Sequence, residues 1–356
     1  MIMKKIFLET HNIKNHYSGF GQFNAHLLRA LKKVNDPDLH FVIHDNKMSD
    51  LKKEFGSFFK YKKYFGFRRY KWGYVRKKYD LWHSLNQNTK IEPYHEMPYL
   101  LTVHDVNFID EVSSDLNHPR NLMFKEKLAR AHAITYISEF AKSSTHQYFD
   151  VPDVPEYVIY NGNPTEELFD LSGFTPETMI KEPYLFTIGD FLERKNFHIL
   201  VEMMPLLPNF KLVIAGNNTR PYGEHVKQTI KDLNLQERVI LAGRISEEEK
   251  QYHLKNCTAF VFPSLREGFG LPPIEAMRFG TPVFLANTTS MPEIGGKYAF
   301  YWNSFNPSEM SDVLNKGLAI FEENKTQYEE ELKKQALSFS WEKAAKEYIS
   351  VYKSLT

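Results

Sequence analysis

Short apolar runs recur along the chain, each closed by a glycine, a proline or a polar cluster, with helically spaced segments between them. The first run, within residues 1–9, is too short for a signal peptide and soon meets Glu9, His11 and Asn12, so it reads as a strand. Leu27, Leu28 and Leu31 then share one face of a helix. Residues 39–44, 80–84, 98–103, 133–137 and 156–160 read as further strands, with a helical stretch near 120–130 and a helix N-cap at Ser138. The second half repeats the rhythm, with strands expected at 184–189, 210–215, 239–241, 258–262 and 282–286. Ala345, Tyr348 and Tyr352 then fall on a terminal helix. Strands alternating with helices predict an α/β fold.

Residues 261–280, VFPSLREGFGLPPIEAMRFG, concentrate the chemistry. An apolar run stops at Pro263, a turn Glu267-Gly268-Phe269-Gly270 follows, and Ile274, Ala276 and Met277 resume with helical spacing. Such a strand, glycine loop and helix start present unpaired N–H groups and the positive end of a helix dipole, which suits an anion and most often a phosphate. Glu267 and Glu275, separated by seven residues, flank the junction. Carboxylates there would repel phosphate, so they fit better as acceptors for sugar hydroxyls. The competing reading is an ordinary strand-loop-helix unit with two solvated acids.

At 356 residues the chain has room for two domains, and 42% hydrophobic with 25% charged residues is the composition of a globular protein. A formal net charge of +1 argues against bulk nucleic-acid binding. The single cysteine, Cys257, rules out a disulfide within the chain and a Cys-rich metal site, and fits a reducing cytoplasm. No run approaches the length of a membrane-spanning helix, so a soluble or peripheral protein is expected. Basic charge does gather locally. Between Phe58 and Tyr79 stand nine basic residues (Lys60, Lys62, Lys63, Arg68, Arg69, Lys71, Arg76, Lys77 and Lys78), no acidic ones and ten aromatics, including Phe65, Phe67 and Trp72. This mixture suits an anionic membrane surface or a lipid-linked phosphate. Single-stranded nucleic acid would use a similar one, but the rest of the chain has no basic field. The plain alternative is a solvated basic helix whose aromatics pack on the core.

Four other places carry candidate chemistry. Gly19 and Gly21 follow the first strand and would let the backbone approach a ligand, or simply make a tight turn; with no third glycine, a nicotinamide dinucleotide is disfavoured. Asp36-Pro37-Asp38 reads as turn chemistry rather than a metal site. His104 stands at a strand's C-terminal end, where Asp105 could orient the imidazole or cap the next segment. Gly189 closes a strand, and Arg194 and Lys195 follow at a helix start, where a cation pair can neutralise a diphosphate leaving group without a metal. The alternative there is two surface cations.

The stretch from Glu267 to Met277, continued by Gly280-Thr281-Pro282-Val283, resembles the Glu-x7-Glu signature of the family-four retaining (group 1) glycosyltransferases. Ser138-Glu139-Phe140-Ala141-Lys142, Asn161-Gly162-Asn163-Pro164 and the Pro-Glu turn at Met291-Pro292-Glu293-Ile294 are similar to other parts of that family. The resemblance implies a GT-B fold, two facing Rossmann-like domains with a cleft between them. It divides the chain into an acceptor domain (1–163), a linker (164–183), a nucleotide-sugar donor domain (184–338) and a last helix (339–356) returning to the first domain, with Trp341 as a packing anchor. It implies metal-independent transfer of a hexose, with retention, from GDP-mannose or otherwise a UDP-sugar, and no cofactor. The acceptor would be a hydroxyl of a glycan or lipid-linked glycan in bacterial surface polysaccharide synthesis, in the cytoplasm; the basic and aromatic residues of 58–79, and not the resemblance, point to peripheral contact at the inner face of the membrane. Glu267 would hold the donor sugar's hydroxyls, Glu275 the ribose, and His104 the donor sugar. The main chain at Ile245 would meet the base, and Gly19, Gly21 and Gly189 would line the donor site. Arg194, Lys195 and the amides of Gly268, Phe269, Gly270 and Leu271 would stabilise the departing phosphate. One departure stands out: where the family commonly has an arginine after the strand glycine, this chain has Asp190. Two rivals share the fold, a nucleotide-sugar epimerase and a non-catalytic nucleotide-sugar-binding scaffold.

Overall fold

The computed structural model describes residues 3–15, 18–45, 48–165 and 167–356. Tyr17 of the glycine loop and the first two residues of the N-terminal run lie outside them. The chain forms two compact units, one of Met1–Gly162 with Phe339–Thr356 and one of Asn163–Ser338.

In the first unit seven strands, β1 (Lys4–Leu8), β2 (Leu39–Asp45), β3 (Lys60–Lys63), β4 (Leu81–Ser84), β5 (Tyr99–Val103), β6 (Ala133–Tyr136) and β7 (Glu156–Val158), lie in the order β3-β2-β1-β4-β5-β6-β7. All neighbours are parallel; Ile6 of β1 pairs with Phe41 of β2 on one side and Leu81 of β4 on the other. Every residue of β4, β5 and β6 is buried, which is why these strands read as short runs rather than as alternating patterns. The buried polar residues among them are paired. His83 lies 2.9 Å from the Tyr352 hydroxyl through Nδ1 and 2.7 Å from Thr102 Oγ1 through Nε2. Burial drives its pKa down to about 3, so the ring is neutral.

Tyr352 belongs to the last helix, Trp341–Leu355, which packs against the helix Gly19–Val34. Trp341, 2% exposed, meets Phe23 edge-on and stacks on His26, an anchor as its sequence context suggested. At the end of the chain the Thr356 carbonyl accepts a hydrogen bond from Lys4 of β1 at 2.6 Å. Lys353 sits 2.7 Å from Asp36 and 3.3 Å from Asp38, so this Asp-x-Asp ties a turn to the last helix.

Two places named in the sequence take definite form here. A Cβ on Gly21 would lie 1.9 Å from the Asn15 carbonyl oxygen, so the close packing of its own loop already requires a glycine there; Gly19 faces open space. Residues 58–79 do not form a helix with its aromatics on the core. They form the edge strand β3 and two 3-10 turns, Gly66–Arg69 and Lys71–Gly73, with several rings exposed.

The second unit has six parallel strands, β8 (Tyr184–Ile188), β9 (Lys211–Ala215), β10 (Val239–Gly243), β11 (Ala259–Phe262), β12 (Val283–Ala286) and β13 (Phe300–Trp302), in the order β10-β9-β8-β11-β12-β13. Residues 164–183, expected as a linker, group with this unit. The Phe169 amide donates to Gln251 at 3.0 Å and the Thr178 amide to Glu249 at 3.1 Å. Residues 291–295, expected as a turn, form the short helix Met291–Gly295, with Pro292 preset for a first helical turn. Both sheets reverse their strand order beside their first strand, between β1 and β4 and between β8 and β11. Open α/β sheets bind ligands at such points, beyond the strands' carboxyl ends.

Gly21→Ala is expected to cost about 1–3 kcal/mol of unfolding free energy through steric overpacking, while Gly19→Ala costs nothing measurable. Urea denaturation of the two variants checks this; equal stability would show that the loop carbonyl at Asn15 does not constrain position 21.

Candidate functional site

Strands β8 and β11 are neighbours, with Leu185 opposite Ala259 and Phe186 opposite Phe260, so the loops leaving their carboxyl ends must meet. The β8 loop ends in a 3-10 turn, Glu193–Lys195, and the Arg194 carbonyl accepts the Leu265 amide of the β11 loop at 2.7 Å. Three groups converge on one oxygen of Glu267. Lys195 Nζ lies at 2.5 Å, the Ser264 hydroxyl at 2.6 Å and Arg194 Nη1 at 2.9 Å, with Arg194 Nη1 also donating to the Arg266 carbonyl. Lys195 stands over the Phe262 ring, its ammonium 4.7 Å from the centroid. The backbone of Glu267 is held as well, its N–H donating to Thr289 and its carbonyl accepting from Ser290. Burial alone would push the Glu267 carboxyl up, but the charges of Lys195 and Arg194 outweigh it and hold the pKa at about 2. Glu267 is therefore a fixed anion at neutral pH.

The helix Leu271–Met277 follows, entered through Gly270 at φ 117, a backbone angle that a side chain would strain. Pro272 and Pro273 supply no N–H, so the amides of this junction come from the loop around Gly268, Phe269, Gly270 and Leu271. The Phe269 carbonyl accepts a bond from the Ser290 hydroxyl at 2.7 Å, which fixes that loop. Glu275 is 4% exposed and forms an ion pair with Lys250, and Thr165 Oγ1 donates to it at 3.4 Å. Burial pushes the Glu275 carboxyl above its ordinary value, and the Lys250 charge holds it back. Among the described residues the partners of Glu267 and Glu275 do not overlap: the signature pair is two separately built anions.

The remaining expected residues are distributed over both units. Gly189 leaves β8 with the Lys195 side chain lying over it. Asp190 pairs with Arg220, 3.2 Å away in the loop after β9, so the family's usual cation is replaced here by a carboxylate with its own guanidinium. Ile245 is half-buried between β10 and the helix Glu247–Asn256, which Ser246 caps. In the first unit His104 is 5% exposed, packed edge-on against Phe20 and Phe23. Its Nε2 sits 2.8 Å from the Leu85 carbonyl, which fixes the tautomer with the proton on Nε2, and burial lowers its pKa to about 4. The Leu85 carbonyl therefore orients the ring, while Asp105 accepts from the Asn107 amide at 3.1 Å in the turn before the helix Phe108–Glu111.

Ser264, Thr289, Ser290, Arg220, Lys250 and Thr165 were not singled out in the sequence. Ser264 follows the strand-ending proline and could have been suspected; Lys250 and Thr165 reach Glu275 from 25 and 110 residues away, which no local pattern reveals. Among the described residues no group of three or more His, Cys, Asp or Glu is placed to hold a metal ion.

Residues 176–339 match the family model described as glycosyl transferases group 1. The second unit carries a group 1 glycosyltransferase domain. The chain is 28% identical over 247 residues to the serotype-specific mannosyltransferase WbdA of Escherichia coli, a match covering 62% of this chain and 29% of that protein. It is 27% identical over 230 residues to the O-antigen chain mannosyltransferase RfbU of Salmonella typhimurium, covering 61% of each. The chain thus spans less than two thirds of the length of these relatives. Among solved structures, the sucrose-phosphate synthase of Thermosynechococcus elongatus has a TM-score of 0.71 at 17% identity, with 99% of both chains covered. Anabaena HepE, in complex with UDP and glucose, has a TM-score of 0.70 at 15% identity, covering 99% of this chain and 100% of that one. These likenesses show the fold: the group 1 glycosyltransferase domain is one of two Rossmann-like units of a GT-B chain.

Two outcomes follow from the site's electrostatics. Because the Glu267 pKa is depressed from 4.5 to about 2, its contribution is present above pH 4.5 and lost as pH falls toward 2, an effect of about 3 kcal/mol. Urea unfolding across that range should show the gap between wild type and Glu267→Gln closing as pH falls; a gap independent of pH would mean the carboxylate is not held by the two cations. Lys250→Met, which leaves Glu275 buried without its counter-charge, is expected to cost about 3 kcal/mol. Adding Glu275→Gln should restore part of it, with a coupling of about 1–3 kcal/mol in the double-mutant cycle, whereas strict additivity would uncouple the pair.

Proposed function

We propose that the chain transfers a hexose from a nucleotide diphosphate sugar to a hydroxyl of a glycan or lipid-linked glycan, with retention at the anomeric carbon and without a metal ion. The observation that carries the reading is the convergence of Arg194 and Lys195 on the glycine loop at Glu267. A diphosphate entering beside that loop meets two cations already aimed at one point, and its negative charge shares them with Glu267. As the bond from the anomeric carbon to the phosphate oxygen breaks, its electron pair stays on the diphosphate, where the cations and the loop amides near Gly268–Leu271 receive it. The acceptor oxygen bonds to the anomeric carbon on the same face, and its proton passes to the departing phosphate. Glu267 accepts the sugar's hydroxyls and its fixed charge favours the oxocarbenium-like transition state. Glu275 accepts the ribose hydroxyls and the main chain at Ile245 meets the base. His104, neutral and with Nε2–H spent on Leu85, offers Nδ1 as an acceptor to a sugar hydroxyl.

The resemblance of the Glu267–Glu275 signature supports retention. The mannosyltransferase relatives favour mannose as the sugar and O-antigen-type surface polysaccharide as destination, and the wording of 266–273 favours GDP-mannose as its donor, while the UDP held by HepE favours a UDP-sugar. One observation favours a second reading, a donor-binding scaffold without turnover: Asp190 stands where the family has a cation, and Arg220 is engaged in neutralising it.

Thermal unfolding with GDP, UDP and their sugar conjugates, in EDTA and in magnesium, tests the donor site first. A matching nucleotide at a hundred times its dissociation constant is expected to add about 2.7 kcal/mol in EDTA as well as in magnesium. With that donor and a glycan acceptor, Glu267→Ala is expected to slow transfer by about 10²–10³-fold. Unchanged transfer would displace Glu267 from the site, an inverted anomer in product NMR would end the retaining mechanism, and tight binding with neither transfer nor hydrolysis would leave the scaffold.

A further inference from the structure

We infer that the segment following β3, from Lys62 to Lys78, is a docking surface for an anionic lipid bilayer. β3 is the edge strand of the first sheet. Immediately after it, Tyr64 is buried against His11, which follows β1, and His44, in the last residues of β2. From there the two 3-10 turns carry the chain outward, and Phe65, Phe67, Tyr70 and Trp72 are 40%, 41%, 62% and 67% exposed. These four rings form a near-parallel ladder, Phe65 to Phe67 at 5.5 Å, Phe67 to Trp72 at 5.4 Å and Trp72 to Tyr70 at 6.2 Å between centroids. The segment is tied down behind them, where the Val75 amide donates to the Glu92 carbonyl and the Tyr94 amide to the Val75 carbonyl, both at 3.0 Å. The ladder is therefore built, and four exposed rings in one patch call for a partner.

Charge says which partner. None of the nine cations between Phe58 and Tyr79 forms an ion pair among the described residues, and that stretch contains no acid. Lys63 and Arg68 lie over the Phe65 ring, at 5.5 and 5.7 Å. Burial, with Arg68 and Lys77 nearby, lowers the Lys62 pKa to about 8, a crowding of like charge that an anionic surface relieves. Phe67 and Trp72 each lie against two other rings, so the middle of the ladder offers edges and cations more than the open faces that a nucleobase or a sugar needs for stacking. Ring edges framed by cations suit the boundary between headgroups and acyl chains. The segment leaves from the same end of the parallel sheet as the loops carrying Glu9, Gly19 and His104. A bilayer docked there would present a lipid-anchored acceptor to the face where such sheets bind ligands. The use of the surface rests on the proposed function; its existence does not.

The test is partition of the full chain onto vesicles of phosphatidylcholine alone and of equal parts phosphatidylcholine and phosphatidylglycerol. Trp82, Trp302 and Trp341 are 0%, 1% and 2% exposed, so any blue shift and any quenching by brominated lipid report on Trp72. Binding is expected only with phosphatidylglycerol, with Trp72 quenched, and is expected to fall about tenfold between low and physiological salt. Tyr70→Ser with Trp72→Ser, at the two most exposed rings, is expected to lose about tenfold in partition with an unchanged melting temperature and unchanged nucleotide-induced stabilisation. The inference is overturned by no binding to anionic vesicles at low salt, by binding with Trp72 unquenched, by a variant that folds and partitions like wild type, or by tighter capture on single-stranded RNA than on the vesicles. None of these readouts involves sugar transfer, so failure here leaves the proposed function standing, and the reverse also holds.

Discussion

One carboxylate oxygen of Glu267 receives an ammonium, a guanidinium and a hydroxyl within 2.9 Å. In a buried setting such a charge is sustained only while its partners remain in place, because each of them would otherwise be a desolvated ion without a counter-charge. That requirement couples three strand ends. Arg194 and Lys195 come from the loop after β8, Ser264 and Glu267 from the loop after β11, and Thr289 and Ser290, which hold the Glu267 backbone, from the loop after β12. The strand order that makes β8, β11 and β12 neighbours is thus a precondition of the site. The cost of assembling this polar cluster is met when the unit folds, so a ligand meets groups whose orientation is already set.

The two glutamates of the signature show how little a motif says about electrostatic state. Glu267 is deep in the positive field of two cations, whereas Glu275 is raised by burial with one lysine against it. Asp190 makes the same point from the opposite side. Read alone it subtracts a cation from the clamp; in the fold it pairs with Arg220, so the local charge is balanced by a residue 30 positions later.

Much of the architecture was legible because parallel strands buried on both faces become compact apolar runs, and β4, β5, β8, β9, β11 and β12 all announced themselves that way. Ser138 was legible for a local reason too, since its hydroxyl accepts the Ala141 amide three residues on. What stayed hidden depends on separations that sequence does not encode. Arg194 and Glu267 are 73 residues apart, and their meeting follows from strand adjacency alone. The steric need for Gly21 was hidden too, because its cause, the Asn15 carbonyl, is a backbone atom with no residue signature. Residues 58–79 were ambiguous because basic and aromatic side chains serve a core-facing helix and an exposed ladder equally well in composition. In the fold the stretch breaks into two 3-10 turns, Gly66–Arg69 and Lys71–Gly73, and no helix runs through it.

The first unit is built from two separated pieces of chain, and its second piece is synthesised only after the whole of the other unit. Phe23, His83 and Phe41 lack their covering rings, and Lys4 lacks the Thr356 carbonyl, until Trp341, Tyr348 and Tyr352 emerge from the ribosome. Residues 163–338 are complete before that, so the continuous unit can reach its native state first while the discontinuous one waits with an open seam beside its first helix. Translation therefore reverses the order in which the two halves begin: the unit started first is finished last, and its exposed apolar groove is the stage at which a nascent chain most needs protection from aggregation.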